Sequence, residues 1–388
     1  MVIVKENSPH LRRKATLWQM LLDVLIALSP TVVFALVEYT WRAAVNILLS
    51  VSVMVAAEAV AVLIKNWGPR DGAKHSLKEK LAFALKGYSI NNFLAPCVSG
   101  LIFALILPAR ETNPAGFIYF VIVVGALFGI VIGKLVFGGT GYNIFNPAAV
   151  GLIFVKLCFQ SSFSGAWYIG AYDSVSAGGT ILHVSSNFET VFSSGYNFSD
   201  MFLGLIPGTM GETCKLAILL GLAYLLIRRE IDWRVVVGFL GTFLFMLSLG
   251  GLVPLLKGVE GFDFGSFILT QLLSGGVLFG VTFMLTDPVT MPITSPSRLL
   301  YGMIAAVCVV FIRMFGGYAE GMAFSILIVN MIAPVLDHYK WSQSRFTLKN
   351  VLPLAIVPVV FTAILVWALA DRLPLASSFA SFEGGFVL

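Results

Sequence analysis

The chain has 388 residues, of which 58% are hydrophobic and only 12% charged, about half the charged share of a soluble protein, which excludes an ordinary soluble enzyme. Its net charge of +5 is no nucleic-acid footprint, because the basic residues cluster between apolar runs. Four isolated cysteines (Cys97, Cys158, Cys214, Cys308) and histidines at His10, His75, His183 and His338, none in mid-span, argue against an iron–sulfur cluster, a zinc site or a membrane haem built from this chain alone.

Apolar windows fall at 17–38, 43–64, 92–108, 116–137, 144–160, 213–227, 235–255, 266–285, 299–315, 321–336 and 351–370. Runs of this length are transmembrane helices, so the pattern predicts an all-α polytopic membrane protein. The first window is too long, and too lacking in a cleavage site, for a removable signal peptide. With the N-terminus in the cytoplasm, inside segments hold 17 Lys and Arg and outside segments four (Arg42, Arg110, Lys257, Arg372). The reverse orientation would violate the positive-inside bias. Loop 161–211 then lies outside the cytoplasm, with Asp173, Glu189 and Asp200 but no Lys or Arg.

The chain also resembles itself. "VSGLIFALIL" (98–107), leading to "VFGGTG" (136–141), matches "LSGGVLFGVT" (273–282), leading to "MFGGYAEG" (314–321). The copies lie five helices apart, an odd offset, so they cross the membrane in opposite directions. This predicts a ten-helix core built as a five-plus-five inverted repeat, with an extra C-terminal helix. Such repeats place a functional pathway near their interface. The chain divides into a first repeat (1–160), an external loop (161–211), a second repeat (212–340) and an added helix and tail (341–388).

"GGTGYNIFNPAAVGLIF" starts at Gly138, where helix four gives way to helix five. Asn143, Asn146 and Pro147 suit a helix entry, with Asn capping and Pro in the first turn. Two readings stand: a short helix starting within the membrane and aiming its N-terminal dipole at an electron-rich ligand, or an ordinary turn. The Pro-punctuated "TDPVTMPITSPSR" (286–298), with Asp287, lies on the same predicted side. Intramembrane charges are Asp23, Glu58, Lys134, Lys156 and Arg313. Asp23 and Glu58, at similar depth in the first two spans, suit an ion path, a partner contact or structural pairing. Lys134 and Lys156, near helix ends, are expected to snorkel toward water.

"SPHLRRKATLWQMLLDVLIALSP" (8–30), "GGTGYNIFNPAAVG" (138–151), "TDPVTMPITSPSRLLYG" (286–302) and "RMFGGYAEGMAFSILIVNMIAPVLDHY" (313–339) together resemble the D subunit of Rnf electron-transport complexes. The homologous B subunit of sodium-pumping NADH:quinone oxidoreductases is similar but more distant in its opening stretch. The resemblance implies a fold like that of urea transporters, and FMN esterified through its phosphate to a threonine of the external loop. The matching stretch here runs from Asp173 to Thr180, with Ser176 as fallback acceptor. It departs from the family pattern by one added residue and by Ala-Gly-Gly in place of Gly-Ala. Gly178 and Gly179 would present a hydroxyl on an unhindered backbone.

The resemblance further implies a cytoplasmic-membrane subunit that is not catalytic alone, since no Gly-x-Gly-x-x-Gly opens a helix after a strand. Its partners would be other Rnf subunits, including an external flavin-bearing one, with membrane lipid around it and a flavin transferase during maturation. Electrons would pass through the covalent FMN, coupled to Na⁺ or H⁺ movement. Whether a second, non-covalent flavin binds between the repeats stays open, as does the alternative of a solute permease or channel on the same fold without redox activity.

Overall fold

The computed structural model describes residues 17–67, 76–109, 116–160, 167–169, 172–175, 197–206, 208–259, 262–316, 321–338 and 348–372. Each of the eleven apolar windows coincides with helix. The first two form one 49-residue run, α1 (Leu17–Lys65). At about 1.5 Å per residue it would span roughly twice the hydrocarbon thickness if straight. It is broken at Thr40, which takes φ 52° and ψ −132°. The predicted separate helices one and two therefore meet at a single-residue kink rather than a loop.

A short helix α2 (Leu77–Lys86) opens with a capping box between Ser76 and Glu79 and turns by 70° into α3 (Ile90–Leu105). Gly100 lets α3 lie against α1: a Cβ there would sit 2.9 Å from the Val51 Cα, and the Ser50 hydroxyl donates to the Gly100 carbonyl at 2.8 Å. Small residues at such crossings let backbones approach where lipid supplies no hydrophobic drive. α4 (Phe117–Gly133) and α5 (Pro147–Cys158) complete the first half. α5 has 12 residues, about 18 Å at helical rise, too short to cross about 30 Å of hydrocarbon by itself.

The described part of loop 161–211 adds a feature the helical pattern did not announce. β1 (Trp167–Ile169) pairs antiparallel with β2 (Tyr172–Val175), Tyr168 opposite Ser174 and Ile169 opposite Tyr172. That register leaves Asp173 as the extra residue of a bulge. A short α6 (Phe198–Leu203) leads into α7 (Lys215–Arg228).

α8 (Trp233–Leu256) follows, capped by Asp232, whose side chain accepts from the Arg234 N–H at 2.9 Å. Predicted helix eight is interrupted: α9 (Phe264–Leu273) stops at Ser274, and α10 (Val277–Gly280) runs on as a π turn over Val281–Leu285, with a 46° bend between them. Gly275 takes φ 65°, a conformation cheap only for glycine. Its aligned partner Gly100 lies inside α3, so the two matched stretches differ in conformation here. α11 (Ser295–Phe315), α12 (Met322–His338) and α13 (Leu348–Arg372) close the described chain.

Among the described residues, α1, α4 with its following turn, α8, α11 and most of α13 are long and apolar enough to cross a membrane, and the two bent pairs raise the number to seven. Large apolar side chains such as Val37, Leu48, Ile64, Ile227 and Trp367 face outward, as suits a protein whose solvent is lipid.

Candidate functional site

A cavity of about 130 Å³ lies where the two halves meet. Leu21 and Val24 of α1, Ile102 of α3, Leu225 of α7 and Phe283 of the π turn give it an apolar wall. Lys134, Thr140, Asn143, Asn146, Thr282, Thr286 and Asp287 give it a polar one.

The polar wall is built from two interruptions of helix. The first is the Gly-rich turn before α5. Asn146 caps that helix, its Oδ1 accepting from the N–H groups of Ala148 and Ala149 at 3.0 and 3.3 Å, with Pro147 as the first helical residue. The Asn146 Nδ2 donates to the Met284 carbonyl at 3.3 Å, tying α5 to the second interruption, the π turn. Such turns free backbone carbonyls and often mark functional sites. Thr282 and Thr286 each donate to the carbonyl four residues back, at 2.7 Å. The Asn330 amide of α12 sits between the Tyr301 hydroxyl (2.6 Å) and the Asn146 N–H (3.1 Å). Asn143 bonds the Phe145 carbonyl at 3.3 Å, and Asp287 accepts from the Val289 N–H at 3.1 Å. The structure thus brings Asn143, Asn146, Pro147 and Asp287 to one cavity.

Asp23 and Glu58 are not partners of each other. Glu58 forms a buried ion pair with Lys134 at 3.0 Å, both side chains no more than 3% exposed, and accepts from the Thr140 hydroxyl at 3.1 Å. Lys134 therefore does not snorkel: a carboxylate within reach holds its ammonium inside. Lys156 is half-buried. Asp23 accepts from the Tyr224 hydroxyl at 2.8 Å and pairs with Arg228 at 3.0 Å, linking the first helix of each half beside the cavity. Thr180, Ser176, Gly178 and Gly179 lie outside the described residues, and of Asp173 only the backbone is described.

Several contacts join helix ends that the sequence places on one side. Asp23 meets Arg228, Glu58 meets Lys134, Asp232 meets Arg298 at 2.5 Å, and the Ile293 N–H donates to Asp337 at 2.9 Å. All are at predicted cytoplasmic ends, and the cavity lies among them. At the other end Lys257 bonds the Ala370 carbonyl and Arg372 lies over the Phe315 ring. Outside the spans, partial burial raises the Asp232 carboxyl, but the Arg234 N–H and the Arg298 guanidinium outweigh it and hold it below the usual carboxylate range.

One polar cluster escaped the sequence reading. Residues 208–215 are buried without being helical until Lys215; Glu212, Thr213 and Lys215 are at most 2% exposed. The Gly211 N–H donates to the Leu105 carbonyl at 2.7 Å, the Glu212 Oε1 accepts from the Thr209 N–H at 3.1 Å, and the Lys215 ammonium donates to the Glu212 carbonyl. The available signal was a Glu and a Lys three apart at the head of an apolar run.

A profile of the NQR2, RnfD, RnfE family matches residues 4–345. The Na⁺-translocating NADH-quinone reductase of Chromohalobacter salexigens has a B subunit that is 37% identical over 262 residues, 67% of this chain and 61% of that protein. Its counterpart from Stutzerimonas stutzeri is 36% identical, and that from Azotobacter vinelandii 37%, each over 245 residues, 62% of this chain and 58% of the relative. The chain thus spans about three fifths of the length of these relatives.

Proposed function

This chain belongs to the NQR2, RnfD, RnfE family, and we propose that it is the membrane subunit of an Rnf-type ion-translocating oxidoreductase. In this reading it passes electrons through FMN esterified to Thr180 and couples them to Na⁺ or H⁺ movement, with dehydrogenase chemistry left to partner subunits. An external flavin-bearing subunit exchanges electrons with it, and a flavin transferase installs the FMN. The N-terminus lies in the cytoplasm of a cell whose inner membrane holds the complex. The relatives' names, which specify Na⁺ translocation and NADH-quinone reduction, support the reaction class.

The observation that carries the reading is the cavity between the halves, where the capped N-terminus of α5, the π turn and a buried ion pair converge. An uncapped turn would leave α5 without direction. Asn146 fixes the entry, so the helix dipole and the polar side chains Lys134 and Asn143 face one volume against an apolar wall. Lys134 and Asn143 would hold the electron-rich edge of a second, non-covalent flavin ring, with the carboxyl groups of Asp287 and Glu230 in the same lining. A bound flavin supplies one- and two-electron transfer. The residues' own tasks are to hold and orient it, exclude water and carry charge beside it. Glu58, reached from the cavity through Lys134 and Thr140, is the carboxylate assigned to the ion path, and Asp23 is assigned to its rim.

The test is Thr180→Val. The variant loses only a hydroxyl, so it inserts and assembles, yet it lacks the fluorescent flavin band on a denaturing gel and passes few electrons outward. Ser176→Ala keeps the band. A wild-type chain without the band, from cells shown to have an active flavin transferase, would favour the permease.

A further inference from the structure

We propose that the buried turn 208–215 and Tyr39 form a binding site for one small monovalent cation of the size of Na⁺, at the end of the spans opposite to the Asp23–Arg228 pair. Tyr39 lies about 24 Å along α1 from Asp23 at helical rise, and Lys215 opens α7 about 20 Å before Arg228. The site uses no residue assigned to either flavin or to the cavity between the halves, so its test is independent of both.

Close packing holds the turn between the two halves. The Met210 and Gly211 N–H groups donate to the Leu107 and Leu105 carbonyls at the end of α3, at 3.4 and 2.7 Å. A Cβ on Gly211 would lie 2.7 Å from the Leu105 Cβ and 3.1 Å from the Phe279 ring of α10. A Cβ on Gly208 would lie 2.9 Å from the Thr213 Cγ2 and 3.6 Å from the Glu212 Oε1, so the chain closes tightly around that carboxylate and leaves room for little more than an ion. Irregular backbone buried in this way is where transporter folds coordinate cations.

The packing leaves oxygen atoms unsatisfied. The hydroxyls of Tyr39, Thr209 and Thr213 belong to side chains at most 3% exposed and have no hydrogen-bond partner among the described residues. Tyr39 faces Thr213 and lies within reach of the charges of Glu212 and Glu38. Thr209 is tied to the Glu212 carboxylate through its own N–H at 3.1 Å. A buried hydroxyl without a partner is unfavourable, and three beside one carboxylate are a set of hard oxygen ligands. A single enclosed carboxylate with neutral oxygens suits one positive charge, whereas Ca²⁺ sites gather several carboxylates. Lys215, whose ammonium donates to the Glu212 carbonyl, competes with the cation for the negative charge of the site.

Thermal unfolding of the full chain in mild detergent, in NaCl, KCl or choline chloride at equal ionic strength, tests this. NaCl should give a saturable rise of a few degrees in the midpoint that KCl does not match. Tyr39→Phe and Thr213→Val each remove one oxygen from a side chain that still fills its place, and each should raise the Na⁺ concentration at half-effect roughly tenfold. Lys215→Met leaves the Glu212 carboxylate dependent on the ion, so the rise should grow. Glu58→Gln with Lys134→Met should leave it unchanged. The assignment is overturned by a wild type with no rise specific to Na⁺, which would leave bridging water as the partner of the hydroxyls. It is equally overturned by a half-effect that neither hydroxyl loss moves, or by a rise that disappears in Glu58→Gln with Lys134→Met.

Discussion

Glu58→Gln removes one charge from a pair whose members are 3.0 Å apart and almost completely buried. The glutamine still accepts from the Thr140 hydroxyl, so the local hydrogen bond survives, but the Lys134 ammonium is left without its counter-charge. Breaking a buried pair from one side costs about 3–5 kcal/mol, whereas replacing both members by neutral groups is often near neutral. Unfolding in mixed micelles should therefore show Glu58→Gln destabilised by about that amount, and Glu58→Gln with Lys134→Met close to the wild type. The double variant separates structure from function: it should be stable and keep the covalent flavin on Thr180, while it loses ion coupling and, with Lys134 gone, holds the non-covalent flavin less well. A Glu58→Gln protein within about 1 kcal/mol of wild type would refute a charged buried pair. Full coupling in the stable double variant would remove Glu58 from the ion path.

Asp23→Asn should weaken the contact between α1 and α7 and reduce ion-coupled activity while leaving flavin content intact; unchanged coupling would make Asp23 purely structural. Asp232→Asn keeps the cap on α8 but loses the attraction of Arg298 and Arg234, a loss of about 1 kcal/mol for half-exposed pairs. The folded carboxyl is held below its unfolded value, so its stabilisation is present above about pH 4 and lost as the pH falls through the folded value. Stability curves of wild type and Asp232→Asn should thus converge in acid, and a constant gap would contradict that assignment. Cysteines placed at Ser76 and Ser194 should react with an impermeant thiol reagent from opposite sides of the membrane, and labelling of both from one side would end the proposed topology.

The helices were legible because a long apolar run is a strong signal, and each window coincides with helix. Their interruptions were less so. The gap between the first two windows placed the break at Thr40 but not its form, a one-residue kink instead of a loop, and the break at Ser274–Gly276 sits in a stretch whose aligned copy around Gly100 is continuous helix. Asn146 and Pro147 announced the start of α5 through local capping chemistry, which depends on neighbours in sequence. The partners of Lys134 and Asp23 depend on neighbours in space, and no local pattern names Glu58 or Arg228 as those partners. The same holds for residues 208–215, whose glycines and Glu suggest a surface turn although the carbonyls of α3 draw them inside. The β1–β2 hairpin is too short to outweigh the polar loop around it.

The most direct measurement of the central claim is the mass of a proteolytic peptide containing Thr180, taken from cells with an active flavin transferase. The peptide should be heavier than its sequence by one FMN less water, a shift that persists in Ser176→Ala and vanishes in Thr180→Val. An unmodified Thr180 peptide would contradict it.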